Sequence, residues 1–102
     1  MEPAGSEYFE EVDVEQYVKA GTPIPRARRY RIRIDRDPFV VTVPSMTGRE
    51  ILAVAGKTPE QYLLRQRLRG GVVSPVEPDE VVSFVEPGVE RFMTLPKDTT
   101  EG

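Results

Sequence analysis

One hundred and two residues with a formal net charge of −3 leave room for a single small core. Cysteine and histidine are absent, which excludes thiol nucleophiles, imidazole bases, disulfides and the usual zinc ligands. No apolar run approaches the ~18 residues of a membrane span, and Met1-Glu2-Pro3-Ala4-Gly5 does not open a secretory signal. The expectation is a cytoplasmic, non-catalytic protein with no cofactor and no metal.

The charges are sorted along the chain. Six acids fall in the first fifteen residues: Glu2, Glu7, Glu10, Glu11, Asp13 and Glu15. Six arginines then cluster at Arg26, Arg28, Arg29, Arg31, Arg33 and Arg36. Residues 1–25 read as an acidic N-terminal extension and linker. Val12 and Val14 alternate like a strand, and the stretch to Val18 also fits a helical turn stopping at Gly21. Gly21-Thr22-Pro23-Ile24-Pro25 is linker chemistry, because proline blocks both helix and ladder.

From Tyr30 the pattern sharpens. Tyr30, Ile32 and Ile34 alternate with Arg31 and Arg33, the period of a half-buried strand. Asp35-Arg36-Asp37-Pro38 is a turn, and Phe39-Val40-Val41-Thr42-Val43 is the returning strand. Thr47-Gly48-Arg49-Glu50 is a capping box, opening a helix through Ile51, Leu52 and Val54 that stops at Gly56. Tyr62 to Gln66 reads as a strand that turns at Gly70-Gly71. Val81 to Val85 reads as the last strand and a core strand, with Val89, Phe92 and Leu95 tacking the remainder onto the body. Hairpin, helix, strand, strand is the order of an α+β β-grasp, a mixed sheet wrapped around one helix. The domain spans 26–95, and 96–102 is a flexible tail.

These residues resemble a known family, the bacterial ubiquitin-like proteins of the multiubiquitin-domain type. The resemblance rests on Arg29-Tyr30-Arg31-Ile32-Arg33-Ile34-Asp35, on Thr47 to Gly56, on Pro59-Glu60-Gln61-Tyr62-Leu63-Leu64, and on Pro87-Gly88-Val89-Glu90-Arg91-Phe92. It implies a protein modifier joined to targets through the carboxylate of Gly102, with Thr99, Thr100 and Glu101 read by the enzymes that handle the tail. The implied partners are an activating-like enzyme, a conjugating-like enzyme, a metal-dependent isopeptidase and an unidentified target. Antiphage defence is the setting implied for some relatives. Ubiquitin ends in two glycines, whereas this chain reads Thr100-Glu101-Gly102, and the apolar patch of ubiquitin's sheet is not evident in the sequence.

Other readings compete at particular residues. Arg67-Leu68-Arg69-Gly70-Gly71 copies the end of ubiquitin, but two glycines suit a turn better, and cutting there would remove Val81 to Val85. Arginine on an exposed strand face can bind nucleic acid, yet the sequence pI of about 5.0 lacks the basic footprint of such domains. Docking of the acidic N-terminal segment on Arg31 and Arg33 fits better. Tyr8, Phe9, Val12 and Val14 are then candidates for self-association into a homo-oligomer, and packing on the same chain is equally open. The alternative function is a β-grasp module that docks protein partners or nucleic acid without being conjugated.

Overall fold

In the computed structural model, which describes residues 9–86 and 88–97, the arginine-rich alternation becomes strand β2 (Ala27–Ile34). Its Tyr30, Ile32 and Ile34 are buried, as the period-two pattern requires. A two-residue turn leads to β3 (Asp37–Val41), antiparallel to β2 with Ile34 opposite Asp37. Asp35 takes a left-handed φ of 59°, a conformation aspartate tolerates better than most residues.

Short strand β4 (Ser45–Thr47) runs into helix α2 (Gly48–Val54). The expected capping box is present: the Glu50 amide donates to Thr47 Oγ1 at 3.2 Å, and the Thr47 amide donates to Glu50 Oε1 at 2.8 Å. Ile51 and Leu52 on α2 are buried. The Lys57 amide returns to the Leu52 carbonyl at 2.9 Å, closing the helix through Gly56 at φ 75°.

Strand β5 (Tyr62–Arg67) turns through a 3₁₀ segment, Arg69–Gly71, into antiparallel β6 (Val73–Val76). Gly70 and Gly71 hold φ values of 88° and 86°, which glycine adopts without a Cβ penalty. They are therefore interior turn residues. Strand β7 (Val81–Ser83) is short and pairs only with β4, in a two-stranded sheet of its own. Strand β8 (Arg91–Pro96) lies antiparallel to β5 and meets β2 in parallel at Ile34 and Phe92. The last strand of the main sheet is thus β8 and not Val81–Val85. Phe84 of that apolar run is fully buried, edge-to-face against Phe92 with centroids 6.1 Å apart, but in a turn.

The N-terminal segment belongs to the same core. Strand β1 (Phe9–Asp13) pairs in parallel with the first half of β2, and α1 (Val14–Ala20) follows directly. Asp13 caps α1 by accepting the Gln16 amide, and Gly21 ends it at φ 73°. Val12, Val14, Val18 and Ile24 are buried with Tyr30, Phe84 and Phe92. Residues 9–25, expected as an extension, therefore pack as part of the domain. The physical reason is register: β8 reaches β2 only at Ile34, so the edge from Ala27 to Arg31 is left for β1. The main sheet runs β1-β2-β8-β5-β6, with β3 on β2. This is a β-grasp extended by one strand and one helix. Among the described residues, no helix is long and apolar enough to cross a membrane.

Candidate functional site at the foot of the C-terminal segment

The chain leaves the sheet from its middle. Strand β8 pairs with β5 from Arg91 to Pro96 and meets β2 at Phe92, near its start. The Lys97 amide then donates to the Gln61 carbonyl at 2.9 Å. Gly102, Thr99, Thr100 and Glu101 lie outside the described residues, as does Tyr8.

On the inner side, one polar cluster fixes β8 just ahead of its exit. Asp35 Oδ1 accepts the Thr94 amide at 2.8 Å, and Asp35 Oδ2 accepts the Thr94 hydroxyl at 2.7 Å. Lys57 Nζ donates to Asp35 Oδ2 at 3.1 Å and to Thr94 Oγ1 at 2.9 Å. The same ammonium sits 4.8 Å from the centroid of the Tyr62 ring. Burial pushes the Asp35 carboxyl up, but the Thr94 and Lys57 hydrogen bonds outweigh it and hold the group below its ordinary value. The turn after β2, the end of α2 and the end of β8 are thereby tied together.

On the outer side, Leu63 of β5 stands directly opposite Leu95 of β8. Residues opposed across an antiparallel pair share a face. Leu64 and Phe92 point into the core, so Leu63 and Leu95 point out, and they are 43% and 46% exposed. Arg65 opposite Met93 forms the next step, and Arg67 opposite Arg91 the one after. A separate cleft of about 280 Å³ lies on the α2 side of β5, between Gly48, Leu52, Tyr62, Leu64, Val76 and Pro78. An apolar step beside the departing tail, bordered by arginine, is a surface that another protein can grip. The sequence did not advertise the leucine pair, because its members are far apart in the chain and only the β5–β8 register joins them.

The candidate self-association residues are brought together within one chain. Val12 and Val14 are buried, and Phe9 remains half exposed. Arg31 bonds Glu11, and Arg33 bonds Asp13 at 3.1 Å. The acidic segment thus docks on the arginine face in cis. Its least expected member is Glu15, which is 5% exposed. Glu15 meets Arg33 Nε at 2.5 Å, Arg91 at 2.7 Å and Lys19 at 3.1 Å. Burial raises the Glu15 carboxyl, but the hydrogen bonds and charges of Arg91 and Lys19 prevail and lower it. Glu15 in turn raises Arg91. The one available hint was that Glu15 stands between Val14 and Val18 in a segment with apolar residues at Val12, Val14, Tyr17 and Val18.

A family model described as multiubiquitin matches residues 30–97. No curated protein and no solved structure matches the chain. The matched span starts inside β2 and ends at Lys97, so β1 and α1 lie outside it.

Proposed function

The chain belongs to the multiubiquitin family, and on that premise we propose that it is a ubiquitin-like modifier, a substrate of its enzymes and not itself an enzyme. The acyl donor is the carboxylate of Gly102. An activating-like enzyme joins that carboxylate to AMP from ATP, releasing pyrophosphate. A cysteine thiolate of the enzyme displaces AMP to form a thioester. An amine of the target then attacks the thioester carbonyl, forming an amide and releasing the thiol. ATP supplies the energy, and a glycine without Cβ offers an unhindered carbonyl at each transfer. The proposed setting is a bacterial pathway with a conjugating-like enzyme and a metal-dependent isopeptidase, serving antiphage defence.

The observation that carries this reading is the exit of β8. A strand paired with β5 along its whole length, and tied to Asp35 through Thr94, delivers the chain at Pro96 and Lys97, beside the Leu63–Leu95 step. An enzyme can hold the body by that step while drawing the tail into its catalytic centre. The leucine pair also favours a second reading, a docking module that binds partners through this face and is never conjugated.

Two variants separate them. Deleting Gly102 is expected to abolish adducts formed with the cognate enzymes and ATP while leaving the circular dichroism melt unchanged. Leu63→Arg with Leu95→Arg is expected to slow thioester formation. Unchanged adducts from the Gly102 deletion would sink the modifier reading. Partner binding that needs the leucines, with no adduct under any condition, would establish the docking module.

A further inference from the structure

Three arginines from three neighbouring strands stand side by side: Arg33 on β2, Arg91 on β8 and Arg67 on β5. Glu15 binds the first two. Arg91 and Arg67 face each other directly across the β5–β8 ladder. Like charges directly opposed destabilise a sheet. Glu15 answers Arg91, yet among the described residues no carboxylate lies within ion-pair distance of Arg67. The Nε atoms of Arg67 and Arg91 are both enclosed and without a hydrogen-bond acceptor. Enclosed N–H groups are nearly always satisfied, so two orphans on one opposed pair mark a place that lacks an acceptor.

The space beside Arg67 has the shape to take one. An open hollow of about 680 Å³ is bounded by Lys19, Arg67, Arg69, Gly70, Gly71 and Glu90. Lys19 is already paired, with Glu15 at 3.1 Å and Glu90 at 3.8 Å, so the unanswered charge of this wall, +2, is that of Arg67 and Arg69. Arg69 is held in place by α1: its guanidinium lies over Gly21, where an added Cβ would come within 2.4 Å of it. Arg69 also has no carboxylate partner among the described residues, and its guanidinium lies against the C-terminal end of α1. Nothing stands within 4 Å of where a Cβ on Gly70 or Gly71 would be, so the turn's backbone is open to solvent.

We propose that the hollow lined by Lys19, Arg67, Arg69 and the Gly70–Gly71 turn binds a phosphate-type oxyanion. Two guanidinium groups without carboxylate partners, with the paired Lys19 ammonium beside them, match the oxygens of a dianion, and guanidinium binds phosphate in bidentate fashion. A single carboxylate would leave half of the +2 charge unanswered. The anion would answer the Arg67 charge and screen the Arg67–Arg91 opposition. Its source is either a free diphosphate or a phosphorylated side chain on a partner. The site lies at the start of β8 and the conjugation tail at its end, so each can fail without the other.

The test follows the Gly70 and Gly71 amides of the isotope-labelled full chain by NMR at low salt. The probes are pyrophosphate, a phosphoserine peptide, and the same peptide with glutamate in place of phosphoserine. Saturable shifts with pyrophosphate or with the phosphopeptide are expected, and whichever saturates at the lower concentration names the source. Arg67→Gln is expected to weaken that binding at least tenfold. Without ligand, Arg67→Gln should melt at or above the wild-type temperature, because Arg67 has repulsion to shed and no ion pair to lose. Non-saturating shifts, equal binding by Arg67→Gln, or equal binding of the glutamate peptide would each overturn the site. So would a lower melting temperature for Arg67→Gln, which would give Arg67 a structural role.

Discussion

Replacing Glu15 with alanine removes the one buried carboxylate among the described residues of the N-terminal segment. Its side chain is 6% exposed and touches Arg33 at 2.5 Å and Arg91 at 2.7 Å. Removing one partner of a buried pair typically costs ~3–5 kcal/mol, because the other charge stays behind. Here the arginines are 29% and 31% exposed, so water recovers part of that cost. Arg33 also keeps Asp13 at 3.1 Å, so the loss falls mainly on Arg91. A cost of about 2–3 kcal/mol follows, after discounting for solvent. With a urea slope of about 1–3 kcal/mol per molar, the unfolding midpoint should fall by roughly 0.7–3 M. Glu10→Ala is the control: its carboxylate is 70% exposed and pairs with Arg28 and Arg29 at 3.3 and 3.6 Å. It should lie within about 0.5 kcal/mol of wild type. Equal midpoints for the two variants would refute the claim that Glu15 anchors the segment.

A chain beginning at Arg26 loses the buried Val12, Val14, Val18 and Ile24. At about 1.5–3 kcal/mol per buried side chain, that rivals the whole stability of a small domain, so light scattering should show aggregation and circular dichroism a lost or lowered melt. A folded monomer would contradict the shared core. Gly88→Ala would place a Cβ 2.6 Å from Ile24 Cδ1 at a φ of +85°, and a loss of about 1–3 kcal/mol is expected in urea melts. Glu15 and Asp35 both have lowered folded-state values, so the unfolded chain binds more protons in acid. Their contribution is complete above the ordinary carboxylate range and is lost as pH falls through the lowered values. Melting temperature should therefore drop as pH is taken below about 4, with a shallower slope in Asp35→Asn. Identical slopes would remove Asp35 from the explanation.

Much of the hairpin and helix was legible because local chemistry and tertiary role agree there. Tyr30, Ile32 and Ile34 show their face by alternation, and Thr47 with Glu50 writes its own capping box. Val81 to Val85 misled because apolar, β-branched residues there serve two different ends. Phe84 fills the core from a turn, while Val81 is 66% exposed on a minor strand. Strand β8 was obscure for the opposite reason. Of its residues only Phe92 is buried, and its central place comes from partners far back in the chain, β2 and β5. The N-terminal segment changes from strand to helix at Asp13, inside one apolar run, so neither period could dominate. The Leu63–Leu95 step and the Arg67–Arg91 opposition arise only from long-range register, which no local pattern encodes.

The central claim, that Gly102 is joined to other proteins, has a direct chemical signature. Trypsin cleaves after Lys97, so a target lysine acylated by this chain retains the five-residue branch Asp98-Thr99-Thr100-Glu101-Gly102. Mass spectrometry of digests from cells carrying the protein and its cognate enzymes should find that branch on lysines of other proteins. It should vanish when Gly102 is deleted. Digests in which every Asp98–Gly102 segment ends in a free carboxylate, with the enzymes active and ATP present, would contradict the claim.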